Sequence, residues 1–446
     1  MAKKIEKFPS SKTERSKIFA KTGLKVGSNY ARYYLNRSLK RNNLEEQKQK
    51  LHSDNANDIY KELTRLRGTA LKIAQSMSMD TGVLPDEFID VMSNAQYRVP
   101  PMNRALVRAI IKRELNKYPE QIFKSFDLQS TAAASLGQVH VASLKNGQKA
   151  AVKIQYPNVR ETISSDLAIA KVIFKRIVKG KNLDAYFKEI GAKLIEETDY
   201  YNEGKQIDYF SELYQSEQII TPIYIPESST GKVLTMSFIE GVHLDQFLKQ
   251  NPSKEERDHY GQIIWDFFNV QISHESRTVY ADIHPGNFLF RKDTKLGIVD
   301  FGCVKTFPKD FLEKCILLFG AQISNDTEKI LKLYYETEIL FKEQEGSKRQ
   351  EDIYNFFQGF GKVVLEPFHR KIFDFGDPKF RESLNFYFSE SSKLNEVRGS
   401  QHFIFLNKVL FGLFSFLMKL KAEIDTRKSR EILDQAIKKI ESSAAA

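Results

Sequence analysis

The chain has 446 residues, 41% hydrophobic and 28% charged, an ordinary globular balance with enough apolar material for two or three packed units. Its two cysteines, Cys303 and Cys315, argue against a disulfide framework or a zinc site and indicate a reducing compartment. The net charge of +11 is concentrated at one end, because residues 1–50 hold fourteen Lys or Arg and four Glu, a net +10 that leaves +1 for the other 396 residues.

Residues 1–50 are predicted to form a basic, amphipathic N-terminal arm. Aromatic and apolar residues recur there at three- and four-residue steps among Lys and Arg, which predicts a helix over 14–40. An aromatic stripe opposite basic residues is typical of helices on anionic membrane surfaces. Docking on the body of the protein and a solvated tail are the alternatives. The arm has no recognisable module for reading nucleic acid, so we expect no nucleic-acid partner.

The chain then changes from helical to β-rich. Residues 51–125 predict a helical extension broken at prolines. In residues 126–240, small and β-branched residues alternate around Asn146-Gly147, which predicts a β-hairpin. One long helix is expected from about Ser164 to Phe210, and two short strands are expected in YIPESSTGKVLTMSFIEG.

Residues 241–446 predict a mainly helical lobe. Its exception is a hairpin formed by NFLF and KLGIVD. The apolar run at 403–421 is interrupted by Asn407 and Lys408, so it predicts a buried or amphipathic helix rather than a membrane span. Without a secretory signal or a transmembrane helix, we expect a cytoplasmic protein with peripheral membrane association.

Lys153 lies in AAVKIQ, where it alternates with apolar residues inside a predicted strand. Protein kinases place a lysine in this pattern to hold nucleotide phosphates and to pair with a helix glutamate. A lysine in a strand is usually solvated, so Lys153 alone is a weak signal.

A stronger signal is the pattern formed by Asp282, Asn287 and Asp300. The amide follows the first acid by five residues, and the second acid opens Asp-Phe-Gly, as in a kinase catalytic loop. Asn287 and Asp300 supply the oxygen ligands that Mg²⁺ prefers, whereas Asp282 is positioned to orient or accept the proton of an attacking hydroxyl or water. The alternative is that these polar side chains cap turns.

Six motifs in order resemble the UbiB family of atypical protein-kinase-like proteins, also called the ADCK family, over about Leu66 to Lys305. They are KIAQ (Lys72–Gln75), AAAS (Ala132–Ser135), AAVKIQYP, EETDYYNE (Glu196–Glu203), DIHPGN and VDFG. The resemblance implies an α+β, protein-kinase-like two-lobed fold, with a small β-rich N-lobe at 126–240, a helical C-lobe at 241–446 and a helical N-terminal extension.

The resemblance also implies roles for residues. Asp282 and Lys153 would be catalytic, and Asn287 and Asp300 would bind metal. A regulatory helix would carry Lys72 and Gln75 over the site, with Lys72 paired to the acidic motif Glu197 and Asp199. ATP or ADP with Mg²⁺ would be the cofactors, bound by Ala132, Ala133, Ala134, Ser135, Lys153, Glu203 and Met236.

Three features of the sequence depart from the kinase or family patterns. Alanines at 132–134 replace the flexible glycines of an ordinary kinase loop and should hold phosphates differently. Ala74 replaces the glycine of the family's K-x-G-Q motif, which affects the packing of the regulatory helix. Tyr280 stands where the family usually has histidine, which affects the support of the catalytic loop rather than the metal ligands.

The leading hypothesis is therefore an atypical kinase or ATPase that supports isoprenoid quinone metabolism at a membrane surface. Its partners would be nucleotide, an anionic membrane contacted through residues 1–50, and a quinone-precursor lipid or quinone-biosynthesis proteins; a homodimer is left open. The alternatives are a small-molecule phosphotransferase of the aminoglycoside- or choline-kinase type and a nucleotide-gated lipid-binding protein without transferase activity.

Overall fold

The computed structural model describes isolated positions before residue 101 and then residues 101–134, 136–177, 184–214, 218–394 and 398–445. Most of the predicted arm and of the extension up to residue 100 therefore lies outside the described residues. The chain divides into two compact units, Met1–Lys205 with Ile223–Phe238 and Gln206–Pro222 with Ile239–Ala446.

Helices and strands are mixed along the described chain, which makes the fold α+β. The helices are α1 Arg104–Leu115, α2 Pro119–Ile122, α3 Val159–Ile177, α4 Asp184–Glu197, α5 Tyr200–Leu213, α6 Leu244–Lys249, α7 Lys254–Ser273, α8 Lys309–Ser324, α9 Thr327–Glu336, α10 Lys348–Val364, α11 Pro378–Lys393, α12 Phe403–Leu420 and α13 Arg427–Ala445. The strands are β1 Ser125–Phe126, β2 Ala132–Ala134, β3 Gly137–Ser143, β4 Lys149–Gln155, β5 Ile219–Ile220, β6 Val233–Ser237, β7 Thr278–Tyr280, β8 Phe288–Phe290, β9 Leu296–Ile298, β10 Val304–Thr306, β11 Ile372–Asp374 and β12 Glu423–Asp425.

The first unit is built on a five-stranded antiparallel sheet. Its strand order is β1-β3-β4-β6, and β2 pairs with β3. The predicted hairpin is confirmed as β3–β4, in which Gly147 takes φ 89°, a left-handed conformation that favours glycine. On one face of the sheet, Val152 and Ile154 pack in a core with Ile111 of α1. Because side chains alternate along a strand, Lys153 projects to the opposite face.

The single long helix expected from Ser164 to Phe210 is wrong, because the segment forms parts of α3, α4 and α5. A break lies between α4 and α5, where the Thr198 hydroxyl donates to the Ile195 carbonyl at 2.6 Å. The Asp199 carboxylate then accepts from the backbone N–H of Tyr201 at 3.1 Å, which caps the start of α5. Side-chain capping of this kind favours a new helix start over continuation of the old one.

Only one of the two strands expected at residues 224–241 has formed, namely β6. The other segment is a 3-10 turn at Pro226–Ser228, preceded by a single bridge between Tyr224 and Met236. Proline has no backbone N–H to donate to a sheet ladder, which explains why the segment turns here.

The second unit is mainly helical around α7. Trp265 of α7 is almost fully buried and donates from Nε1 to the Ser429 hydroxyl of α13 at 2.9 Å. The predicted hairpin is confirmed as β8–β9. The strands that precede and follow it in the sequence, β7 and β10, pair with each other. The apolar run forms helix α12 as predicted. Among the described helices, none has the length and apolarity needed to cross a bilayer.

Candidate active site

In the first unit, Lys153 and Glu203 form a buried ion pair. Lys153 Nζ lies 2.7 Å from Glu203 Oε1 and 2.9 Å from Oε2, and the two residues are 5% and 2% exposed. β4 carries the lysine and the first turn of α5 carries the glutamate. The pair places a compact cation on the sheet face opposite α1, in the position that the kinase pattern predicts for a phosphate-binding lysine.

The alanine-rich segment is a β-strand rather than an open loop. Ala132, Ala133 and Ala134 form β2 and pair with β3, Ala134 lying opposite Gly137. A Cβ at Gly137 would lie 2.3 Å from the Ile154 carbonyl oxygen, so glycine is required there. Ser135 lies outside the described residues. Pairing with β3 restricts the backbone of this segment.

Met236, the remaining predicted cofactor residue, is buried in β6. It lies opposite Ala151 of β4, two positions along the strand from Lys153. Since side chains two positions apart share a face of a strand, Ala151 and Lys153 lie on the same side of β4.

The predicted regulatory residues are only partly described. Lys72 Nζ lies 3.4 Å from Glu197 Oε2, and both side chains are buried. Three residues earlier, the Thr69 hydroxyl hydrogen-bonds to the carboxylate of fully buried Asp166 in α3. The second acid of the motif, Asp199, caps α5. Gln75 lies outside the described residues.

In the second unit, Asp282 and Asn287 are joined by hydrogen bonds within one loop. The Asn287 side-chain amide donates to the Asp282 carbonyl at 3.0 Å and to its Oδ2 at 3.3 Å. The loop is stabilised at its centre, where the Gly286 N–H donates to the His284 ring at 3.0 Å. Because its NH₂ group is engaged with Asp282, the Asn287 amide keeps its Oδ1 for another partner.

Asp300 follows β9 in a left-handed backbone conformation, with φ 68°. A non-glycine residue in this region is strained and is held by its surroundings. The Tyr280 hydroxyl donates to the Asp300 carbonyl at 3.0 Å, and Phe301 packs at 5.5 Å from the Tyr280 ring. Burial raises the pKa of Tyr280 well above its usual range, so the hydroxyl remains a donor. Tyr280 thus supports the Asp-Phe-Gly turn directly, a role that the sequence alone did not reveal.

The hairpin register brings the two predicted metal ligands to the same end of β8–β9. The Val299 N–H donates to the Asn287 carbonyl at 2.9 Å, so Asp300 is one residue beyond the partner of Asn287. An amide oxygen and a carboxylate are hard oxygen donors of the kind that Mg²⁺ prefers. The donor chemistry of Asn287 and Asp300 therefore fits the implied cofactor.

One residue at this loop was missed by sequence reasoning. Lys408 of α12 lies with Nζ 3.0 Å from Asp282 Oδ1 and 3.8 Å from Cys303 Sγ. Lys408 is 7% exposed. Its only signal in the sequence was that it interrupted an apolar run.

Comparison with known proteins identifies the family. The family model described as the ABC1 atypical kinase-like domain matches residues 94–334, more than half of the chain. The chain is 30% identical over 317 residues to the atypical kinase COQ8, mitochondrial, of Saccharomyces cerevisiae, covering 70% of this chain and 63% of that protein. It is 24% identical over 449 residues to the probable serine/threonine-protein kinase abkA of Dictyostelium discoideum, covering 95% of this chain and 79% of that protein.

Among solved structures, the Rv3197–erythromycin complex from Mycobacterium tuberculosis matches with a TM-score of 0.59 and 23% identity, covering 89% of this chain and 98% of that one. This likeness concerns the fold alone. The chain belongs to the ABC1 atypical kinase-like family, which confirms the UbiB resemblance of its motifs, and its α+β fold is protein-kinase-like.

Proposed function

We propose that this protein is an atypical kinase or ATPase that binds ATP or ADP with Mg²⁺. The observation that carries the proposal is the loop in which the Asn287 amide is fixed by Asp282, with Asp300 at the same end of the β8–β9 hairpin. Membership of the ABC1 atypical kinase-like family supports it. The buried pair of Lys153 and Glu203 supplies the phosphate-binding cation that such a reaction needs.

Each polar residue has a distinct role in the proposed reaction. Lys153 would hold nucleotide phosphates, and Glu203 would keep its ammonium in place. Asn287 and Asp300 would hold Mg²⁺, which neutralises charge on the phosphate oxygens. Asp282 would take the proton from an attacking hydroxyl or water as the new O–P bond forms and the bond to the leaving ADP breaks.

ATP turnover by the purified full chain tests this proposal. We expect Mg²⁺-dependent release of ADP, measured alone, with anionic liposomes and with quinone-precursor-like phenols. Asp282→Asn should lower turnover by about 10²-fold or more, as loss of a general base does. Turnover that is equal in the wild type and in Asp282→Asn would remove Asp282 from the base role.

We further propose that the reaction supports isoprenoid quinone or related lipid metabolism at a membrane surface. The motif resemblance to the UbiB family supports the quinone part, and the +10 charge of residues 1–50 supports the membrane part. Pelleting with anionic liposomes should fall strongly when residues 1–50 are deleted. Equal pelleting of the two chains would refute the membrane role of the arm.

The buried contact between Lys72 and Glu197 favours a regulated site over an open small-molecule phosphotransferase. Lys72→Ala should therefore change the rate of nucleotide turnover. If transfer to small hydroxyl compounds occurs and is unaffected by Lys72→Ala, the phosphotransferase alternative is the better one.

A further inference from the structure

Helix α12 contains two lysines in very different surroundings. Lys419 is exposed in the last turn, where a positive charge is favourable because of the helix dipole. Lys408 lies in the second turn and is buried, as are Leu406 and Val409 beside it in the sequence. Lysines are almost never buried without a partner, so the position of Lys408 requires an anion.

The anion is Asp282, and the contact gives its second carboxylate oxygen a donor. Lys408 Nζ lies 3.0 Å from Oδ1, and the Asn287 amide donates to Oδ2 at 3.3 Å. The two side chains of the ion pair are 8% and 10% exposed. With a donor on each oxygen, the carboxylate is held in one orientation. A charge-assisted bond of this kind is stronger than one between neutral groups.

The loop itself supplies no cation for this purpose. Residues 281–287 read ADIHPGN and contain neither Lys nor Arg. The His284 ring is engaged with the Gly286 N–H inside the loop. The charge that faces Asp282 is therefore delivered from α12, 126 positions further along the chain.

We propose that Lys408 is the positioning residue of Asp282: its ammonium fixes the carboxylate in the orientation from which Asp282 accepts the proton of the attacking group. This inference rests on the proposed function. It concerns the contact of the Lys408 ammonium with Asp282 and gives Lys408 no role in binding nucleotide. Lys408 should therefore influence turnover through Asp282 and affect nucleotide binding little.

The test compares Lys408→Met, Lys408→Arg and the matched control Lys419→Met on the same helix. Methionine keeps most of the length of the lysine side chain without its charge. Because misplacing a catalytic group by about 1 Å can cost 10²-fold in rate, Lys408→Met should lower kcat by about 10- to 100-fold. The KM for ATP should change by less than about threefold, since binding and turnover are separable effects.

Lys408→Arg should recover a large part of the lost kcat, because it restores a cation, and Lys419→Met should behave as the wild type. Unchanged kcat in Lys408→Met would overturn the proposal. Equal losses in Lys408→Met and Lys408→Arg would also overturn it, since a packing effect would then suffice. A rise in the KM for ATP that accounts for the whole loss of kcat/KM in Lys408→Met would overturn it too.

A double variant covers the case in which Lys408→Met does not fold because Asp282 is left buried without its partner. Asp282→Asn/Lys408→Met removes both charges, and it should keep the same residual kcat as Asp282→Asn, since residues that act as a unit are not additive. A further tenfold fall in the double variant would overturn the proposal. Wild-type turnover is measured first: its absence refutes the proposed function and this inference together, whereas an active wild type with an equally active Lys408→Met refutes only the inference.

Discussion

Lys153–Glu203 in the first unit and Asp282–Lys408 in the second are both buried lysine–carboxylate pairs, but they differ in how clearly the sequence indicates them. In the first unit, Lys153 and Glu203 approach to 2.7 Å, and each lies in a recognisable motif. In the second unit, Asp282 and Lys408 approach to 3.0 Å, but only the acid lies in a motif. The partners are 50 positions apart in the first pair and 126 in the second.

The difference shows what a motif does and does not contain. Lys153 is visible because strand alternation places it against apolar neighbours, and Glu203 is visible because its segment matches a family pattern. Lys408 has neither signal, since one lysine in an apolar helix also reads as a residue that breaks a membrane span. Only tertiary packing, which buries the Lys408 ammonium beside Asp282, identifies Lys408 as the partner of that carboxylate.

The largest effect should come from the second unit. Asp300→Asn removes the carboxylate proposed to hold Mg²⁺, so Mg²⁺-dependent nucleotide binding should be lost, as measured by calorimetric titration of ATP with and without Mg²⁺. Asp293→Asn is the matched control, because Asp293 is an exposed acid in the β8–β9 turn that pairs with Arg291. Unchanged Mg²⁺-dependent affinity in Asp300→Asn would contradict the metal assignment.

In the first unit, Lys153→Arg should weaken nucleotide binding or turnover by about tenfold, because a guanidinium does not replace a compact ammonium at a phosphate. Lys153→Met should also destabilise the protein by about 3 kcal/mol, since Glu203 is left buried and uncompensated. Binding is measured by the same ATP titration and stability by urea unfolding.

The control for Lys153→Met is Lys314→Met, which removes the surface pair with Asp310. Its cost should stay below about 0.5 kcal/mol, because exposed ion pairs contribute little. If the two variants lose equal free energy of unfolding, burial does not determine how much each ion pair contributes to stability.

Local signals in the sequence predicted the hairpins well. Asn146-Gly147 and the short turn between NFLF and KLGIVD are close-range features that determine their own geometry, and both hairpins are confirmed. The single long helix at 164–210 was wrong, and the break between α4 and α5 depends on one carboxylate, that of Asp199, which caps α5. Reading Asp199 as a helix cap would have located the break.

Side-chain contacts between distant segments of the chain could not be predicted from the sequence. Tyr280 was expected to affect the support of the catalytic loop rather than the metal ligands, yet its hydroxyl donates to the carbonyl of Asp300, twenty positions away. Lys408 reaches the loop residue Asp282 from helix α12. In both cases the residue type allows many partners, and tertiary packing selects one of them.

Tyr280→Phe tests the support of the Asp-Phe-Gly turn and should have a smaller effect than the changes at Asp300 and Lys153. Loss of the bond to the Asp300 carbonyl should cost about 1–2 kcal/mol of stability and relax the strained backbone. Affinity for Mg²⁺-ATP should fall severalfold, as measured by titration.

Tyr260→Phe is the matched control, because the Tyr260 hydroxyl donates to the Arg291 carbonyl in the same unit at 2.6 Å. It should cost similar stability while leaving nucleotide affinity unchanged. If both variants lower the affinity equally, Tyr280 acts through general stability and not through Asp300.

The smallest expected effect concerns the alanine strand near Lys153. Ala133 pairs with Gln138 in the β2–β3 ladder, so Ala133→Gly loosens β2 by permitting more backbone conformations. If the stiffness of β2 governs how phosphates are held, the ratio of ATP to ADP affinity should change by about two- to fivefold, a shift of less than about 1 kcal/mol. Competition titration of the two nucleotides measures this ratio.

Ala142→Gly, in β3 opposite Phe126, introduces the same flexibility into another part of the sheet and should leave the ratio unchanged. An unchanged ratio in Ala133→Gly would mean that the alanines serve packing alone, and the nucleotide selectivity would then have to come from residues other than those of β2.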